Sequence, residues 1–532
     1  MSFPVAPAPT AAKLRGGYYT PPAIAAFLAD WVAGSGPRVL EPACGDGAIL
    51  GPLAQRARNA VGIELEPEEA DKARAAAPTA DVIEADFFEW FSDEQRSKWD
   101  GVGGNPPFIR FQHWTEPTRS RAFDVMRGVG MRPTKLTNAW VPFVIASALA
   151  VRPGGRLGLV VPAELLQVTY AAETRAFLVD EFAELTAITF KRLVFDRVLQ
   201  EVVLLLGVRE SGPASIRVVE VEDATSLPSA NEVAALPHAP ALKHESEKWT
   251  KYFLDFEGIA ALREAREHEA LLRLSDLAEV DVGIVTGRNQ FFVLRPSDAA
   301  DRQVERHTMP LVSKSAHLRG VVFAKNDLTR LRKEDALCQL LAVTADVDLA
   351  EDEALDAYVA AGEAEGVHQG YKCSIRKRWW VVPSVWTPDA FLLRQIYDHP
   401  RIIANSSGAT STDTIHRVKM LNGLLPARLA AASINSITFA FAEVMGRSYG
   451  GGVLELEPTE AEGLPFPDPH ALAPEDVGQV DKLLRAGELV AALDFVDRRL
   501  LTETLRFDED LVATLRRVWE RLRDRRLTRG RR

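Results

Sequence analysis

Cysteine is scarce in this chain of 532 residues: Cys44, Cys338 and Cys373 stand far apart, and none pairs into a CxxC. That scarcity argues against a zinc site or a disulfide framework, and it suits a reducing compartment. No apolar run reaches membrane-spanning length, and the opening MSFPVAPAPTAAKLRGG lacks the apolar core of a signal peptide. The expectation is a soluble, cytoplasmic protein with no membrane association and no metal. Positive charge is also short, with 63 Lys and Arg against 74 Asp and Glu, a net charge of −11. Phosphate contacts need cations, so any nucleic-acid binding must rest on where the charges lie and not on their sum.

What is present is an ordinary globular composition, 47% hydrophobic and 26% charged, in a chain too long for one core. Two domains or more are expected. The basic residues do cluster. Arg110, Arg119, Arg121, Arg127, Arg132 and Lys135 form one stripe, Arg376-Lys377-Arg378 precedes Trp379-Trp380, and the last turns of the chain are rich in arginine. Arg110, Arg119, Arg121, Arg288, Arg376, Lys377 and Arg378 are the candidate phosphate contacts. The terminal arginines read as a solvated helix end.

The first half alternates strand-like and helix-like segments. Thr20 can cap a helix that begins at Pro21, with Ile24, Phe27, Leu28 and Trp31 on one face. Short β-rich runs follow at 38–40, 60–63, 81–83 and 101–103, with a helical stretch from Pro67 to Ala77. Ala139 to Val151 reads as a helix closed by Pro153-Gly154-Gly155, and 156–161 and 202–208 read as buried strands. This rhythm predicts a mainly parallel sheet with helices on both faces. It fades after residue 210. The expected divisions are a mobile arm at 1–15, an α/β domain at 16–245, a mixed α+β domain at 246–470 and a helical segment at 471–532.

Val39-Leu40-Glu41-Pro42-Ala43-Cys44-Gly45-Asp46-Gly47 sits where a strand turns into a helix, and glycines there let backbone approach a ligand. Glu64 ends the next strand, 19 residues beyond Gly45, where a carboxylate can accept both hydroxyls of a ribose. Asp86 ends a third strand, placed for an adenine amino group, and Leu65 and Phe143 can cover the faces of that ring. An acid ahead of the glycine turn, at Glu41, would repel a pyrophosphate but suits the ammonium of a methionine moiety. The cofactor expected is S-adenosylmethionine, with Glu41, Ala43, Gly45, Gly47, Glu64, Leu65, Asp86, Phe87, Asn105 and Phe143 around it.

Asn105-Pro106-Pro107-Phe108 follows the fourth strand. An aromatic amine is a poor nucleophile because its lone pair is delocalised. Two acceptors, the Asn105 side-chain oxygen and the Pro106 carbonyl, can take both amine hydrogens and free that lone pair for in-line attack on a methyl group. The prolines fix φ and hold the acceptors in place, and Phe108 can stack on a base. No cysteine follows a proline, so the Pro-Cys pair that C5-cytosine chemistry needs is absent.

These motifs, in this order over the first 210 residues, resemble the gamma-class N6-adenine DNA methyltransferases, TaqI-like enzymes of type II restriction–modification systems. Gly17-Tyr18-Tyr19-Thr20-Pro21-Pro22 resembles the family's N-terminal cofactor motif, which brings Tyr19 and Thr20 to the donor. Leu193-Val194-Phe195-Asp196 is similar to its late motif, so Phe195 inherits the packing against a flipped adenine. Asp46 is a mild departure from the family's first motif. The resemblance implies a Rossmann-like S-adenosylmethionine-dependent methyltransferase sheet followed by a C-terminal α+β DNA target recognition domain. It implies double-stranded DNA as substrate, a partner restriction endonuclease on a separate chain, and a monomer. RNA or a protein glutamine amide as acceptor, and a nonenzymatic DNA-binding subunit, are the alternatives. A fused restriction–modification enzyme is a further one, although no metal-carboxylate cluster is evident near the C-terminus. Cytosine N4 is disfavoured by asparagine at position 105.

Overall fold

Leu40, Val102 and Leu204, each from a short apolar run, lie fully buried at the centre of one large twisted sheet. The computed structural model describes residues 20–529 except 110, 136, 168–170, 193, 195–200, 211, 238, 241–248, 250–252, 255 and 450. Tyr19, Arg110, Phe195 and the N-terminal arm therefore lie outside the described residues. The chain divides into two units: residues 1–253 with 449–451 and 528–532, and residues 254–448 with 452–527.

The strands of the first unit are β1 (Arg38–Glu41), β2 (Asn59–Glu64), β3 (Asp81–Glu84), β4 (Trp99–Gly104), β5 (Val151–Pro162), β6 (Glu184–Phe190), β7 (Val202–Val208), β8 (Ser215–Val221) and β9 (Ala239–Pro240). Their spatial order is β3-β2-β1-β4-β5-β7-β6-β8-β9. β1 to β5 run parallel, and β7 lies antiparallel between β5 and β6. The chain winds outward from β1 to β3 and then returns to β4 on the other side of β1. A crevice opens at the carboxyl ends of strands where the order reverses in this way, and α/β proteins bind ligands there.

Helix Pro22–Ala33 packs Ile24, Leu28 and Trp31 into the core, and Trp31 Nε1 donates to Leu157 O at 2.8 Å. Helix Trp140–Ala150 is buried along its whole length, as its unbroken apolar sequence requires. The structure corrects three expectations. Pro21 and not Thr20 stands at the N-cap of the first helix, with no side-chain cap bond. Pro153-Gly154-Gly155 does not close a helix: β5 starts at Val151 and carries these residues through a register shift against β4. The sheet also continues past residue 210, because β8 pairs in parallel with β6.

The second unit is α+β. A five-stranded sheet runs in the order Ala278–Asp281, Ile415–Met420, Ala390–Leu393, Ile402–Asn405, Val322–Phe323. A four-stranded one joins Val293–Leu294, Gln339–Leu341, Thr308–Val312 and Thr410–Ser411. Helices Ser436–Met445 and Glu509–Arg529 are tied through charge. Arg526, only 3% exposed, donates to Glu443 at 2.6 Å, and Arg516 to Asp497 at 2.7 Å. Within this arginine-rich end Arg516 and Arg526 reach inward to carboxylates, whereas Arg517 and Arg521 stay exposed as the sequence suggested. No helix among the described residues is long and apolar enough to cross a membrane.

Candidate active site

The turn after β1 is set by two glycines in the left-handed region, Gly45 at φ +51° and Gly47 at φ +84°. A side chain at Gly47 would meet Ala73 Cα at 2.9 Å, so this glycine lets the turn lie against helix Pro67–Ala76. The Gly45 amide donates to Glu64 Oε2 at 2.8 Å, and the Glu66 amide to Glu64 Oε1 at 2.9 Å. The 19-residue spacing between Gly45 and Glu64 therefore joins the ends of β1 and β2. Leu65 follows at 55% exposure, an apolar side chain left uncovered beside a carboxylate.

Glu41, at the end of β1, is 2% exposed, and its Oε2 has no hydrogen-bond partner. Burial first, then repulsion from Asp46 and Glu64, pushes its carboxyl well above the ordinary glutamate range, against a backbone bond from Leu50. Burial also raises Glu64 and Asp46, each opposed by backbone amides. Burial, with Glu41 next, drives the Cys44 thiol upward, which disfavours its thiolate. The edge of the sheet thus gathers Glu41, Asp46 and Glu64, and among the described residues the cation that acts on this group is Lys72, through Asp46. β4 passes close by: a methyl on Gly104 would lie 3.3 Å from Glu41 Cγ.

Asn105 leaves β4 at this edge and donates from Nδ2 to Thr20 Oγ1 at 3.2 Å. Pro106 is buried, and Phe108 packs in part against the core that contains the first helix. The loop end is fastened by Ala139 N donating to Ile109 O at 2.9 Å. Asn138, beside that clamp and 9% exposed, buries its Oδ1 without a partner. The sequence offered no signal for Asn138, since its place depends on how helix Trp140–Ala150 docks.

Asp86 caps helix Phe87–Trp90 through Phe88 N at 2.9 Å, and its other oxygen takes the Thr118 hydroxyl at 2.6 Å and Arg121 at 3.3 Å. Both oxygens are thus engaged by the chain itself, which the sequence did not foretell. Phe87 and Phe143 stack on each other at 5.3 Å, both buried.

Glu41, Ala43, Gly45, Gly47, Glu64, Leu65 and Asn105 share one edge of the sheet, with Thr20 bonded to it; the basic residues are placed differently. Arg119 folds onto its own loop, with its guanidinium 4.3 Å from the Phe111 ring and paired with Glu116. Arg121 pairs with Asp86 and Glu89. In the second unit Arg376 donates to Val285 O and Thr286 O, and Arg378 to Ala345 O and Val347 O. Arg288 and Lys377 are exposed. The segment Ser433-Ile434-Asn435-Ser436 is a buried junction in which Asn435 caps helix Ser436–Met445.

Sheet order, switch point and glycine turn define a Rossmann-like methyltransferase fold. The family model for the C-terminal domain of the type II methyltransferase M.Eco57I matches residues 246–501. The chain is 22% identical over 466 residues to the type II methyltransferase M.AccI of Acinetobacter calcoaceticus, covering 83% of each chain. It is 23% identical over 477 residues to M.XamI of Xanthomonas campestris pv. amaranthicola, covering 86% of each. The fold is also that of the type IIL restriction–modification enzyme MmeI, solved in complex with DNA, at a TM-score of 0.59 and 12% identity, over 93% of this chain and 73% of that one. These matches make the chain similar to type II restriction–modification methyltransferases.

Proposed function

We propose that the chain transfers a methyl group from S-adenosylmethionine to the exocyclic N6 of an adenine in duplex DNA. The observation that carries this reading is the orphaned, buried Oε2 of Glu41 at the edge where Asn105-Pro106-Pro107-Phe108 emerges. A buried carboxylate without a partner is costly unless a cation meets it, and the methionine ammonium is such a cation. The donor, when bound, supplies an electrophilic methyl on its sulfonium. Glu64, already ordered by two amides, is the acceptor for the ribose hydroxyls, and Leu65 is an apolar cover for the adenine ring. Asp86 is assigned the adenine amino group, which it must share with Phe88 N, Thr118 or Arg121.

Asn105 and the Pro106 carbonyl accept the hydrogens of the target amine, and Phe108 stacks on the base. Tyr19 and Phe195 keep the parts that the family resemblance gives them. A stacked adenine cannot present its amine in line with a methyl group, so the base must leave the helix. The names of the relatives and the DNA in the MmeI complex support a DNA acceptor. On the same reading residues 246–470 serve as the target recognition domain, the partner endonuclease is a separate chain, and the protein acts as a cytoplasmic monomer. The test offers duplex DNA, RNA and protein side by side with a labelled donor, using the purified chain and Asn105→Ala. Label must enter adenine in DNA and vanish in the variant. Label entering RNA or protein instead, or a fully active variant, overturns the proposal.

A further inference from the structure

We infer that an exposed face of the second unit, built from Val285, Tyr371 and Ile375 and fringed by Arg288, Lys372 and Lys377, seats on the grooved surface of duplex DNA. This rests on the reading of the chain as a DNA-modifying enzyme and says which surface holds the duplex.

Two segments distant in sequence make the face. Arg376 Nη2 donates to Val285 O at 3.0 Å and to Thr286 O at 2.8 Å, stapling the loop at 283–288 to the turn at 371–376. A methyl at Gly287 would sit 2.9 Å from Lys372 Cβ, so the two backbones meet as closely as a glycine allows. Beneath them Phe291, Phe292, Cys373 and Trp379 are buried in one core. Above them Tyr371 is 74% exposed, Ile375 64% and Val285 39%. A rigid base that turns large apolar side chains outward marks a contact surface, because a core would have taken them in.

Charge names the partner. Residues 283–289 and 370–380 hold five cations and no carboxylate, in a chain of net charge −11. Arg376 and Arg378 spend their guanidiniums on backbone carbonyls of their own unit, which assigns phosphate contacts to Arg288, Lys372 and Lys377. Cations around an apolar centre match a duplex groove, where phosphates flank base edges and thymine methyls.

The test is the binding of the full chain to labelled duplex DNA at several salt concentrations, with thermal unfolding as a check on each variant. Each phosphate contact contributes about 0.9 to the slope of log affinity against log salt. Lys372→Ala with Lys377→Ala is expected to shrink that slope by about 1.8. Tyr371→Ala with Ile375→Ala is expected to weaken binding about five- to tenfold, on the scale of stacking contacts, at an unchanged slope. Lys333→Ala, an exposed cation elsewhere in the unit, should change neither. If both double variants bind like the parent, the face is not the DNA seat, although methyl transfer to DNA still stands. Losses confined to RNA or to anionic vesicles overturn the inference as well. A parent chain that binds no DNA removes the reading on which it depends.

Discussion

Asn105 donates its side-chain amide to the hydroxyl of Thr20, 3.2 Å away, across 85 residues of sequence. An amide whose nitrogen is held on one side turns its carbonyl oxygen to the other, which orients the acceptor that the proposed chemistry uses. Thr20→Val removes the hydroxyl and keeps the shape. A neutral hydrogen bond is worth about 1 kcal/mol, so kcat should fall about three- to tenfold with the donor KM unchanged, and Thr20→Ser should restore it. A raised donor KM with intact kcat would instead place Thr20 on the donor.

Glu41 gives a prediction of opposite sign for stability and for activity. Its carboxyl is held above the ordinary range by burial and by the neighbouring carboxylates. The folded state therefore keeps a proton that the unfolded chain has lost. The stabilisation is complete below the usual glutamate range, about pH 4.3, and is lost as pH rises through the elevated value. Glu41→Gln should flatten this decline and raise the melting temperature of the donor-free protein at neutral pH. Relief of the cost of holding this buried carboxyl, its Oε2 without a partner, is worth about 1–3 kcal/mol, or about 2–4 °C per kcal/mol in a unit of this size. The same variant should bind the donor more weakly. Calorimetry without donor and titration with it would separate the two, and a lower melting temperature would refute the account.

The first sheet was legible because its strands are short apolar runs cut by glycine turns and helices, a pattern local enough to read. Ile24, Phe27, Leu28 and Trp31 fall on the buried face by spacing alone, and 202–208 is β7. β6 and β8 escaped: Glu184–Phe190 and Ser215–Val221 carry charged and polar residues that mask their pairing. Glu41 and Asn105 could be picked out because motif and strand end coincide. Asp86 was placed at a strand end, but its grip on Thr118 and Arg121 depends on a helix that reaches it only in three dimensions. The basic stripe was the least legible part. A guanidinium reads alike in sequence whether it faces solvent or, like Arg376 and Arg526, takes carbonyls and carboxylates of its own unit.

Gly45 and Gly47 share the left-handed region but differ in their surroundings. Gly45→Ala meets nothing within 4 Å, so its cost is the backbone conformation, about 1–2 kcal/mol. Gly47→Ala bears the same cost at φ +84° and also drives its methyl to 2.9 Å from Ala73 Cα and 3.1 Å from Ala76 Cβ. Overpacking adds about 1–3 kcal/mol. Thermal unfolding should rank the parent above Gly45→Ala and both above Gly47→Ala; equal melting of the two variants would show that helix Pro67–Ala76 yields freely.

Arg526 and Glu443, each 3% exposed at the side chain, form a buried pair with contacts of 2.6 and 3.1 Å. Removing one partner strands a charge out of water, so Glu443→Ala or Arg526→Ala should destabilise the second unit by about 3–5 kcal/mol. Replacing both with apolar residues, Arg526→Met with Glu443→Leu, takes away both charges, and ion pairs of this kind are often dispensable. Here the recovery should be partial, because Arg526 also donates to the carbonyls of Tyr397 (2.8 Å) and Gly452. Those acceptors would lose their partner whatever becomes of the pair. Denaturant unfolding of the two single variants and the double variant gives the coupling energy directly. A double variant as stable as the parent would mean that the carbonyl bonds contribute nothing, and one no better than the single variants would mean that those bonds, and not the ion pair, hold the helix end in place.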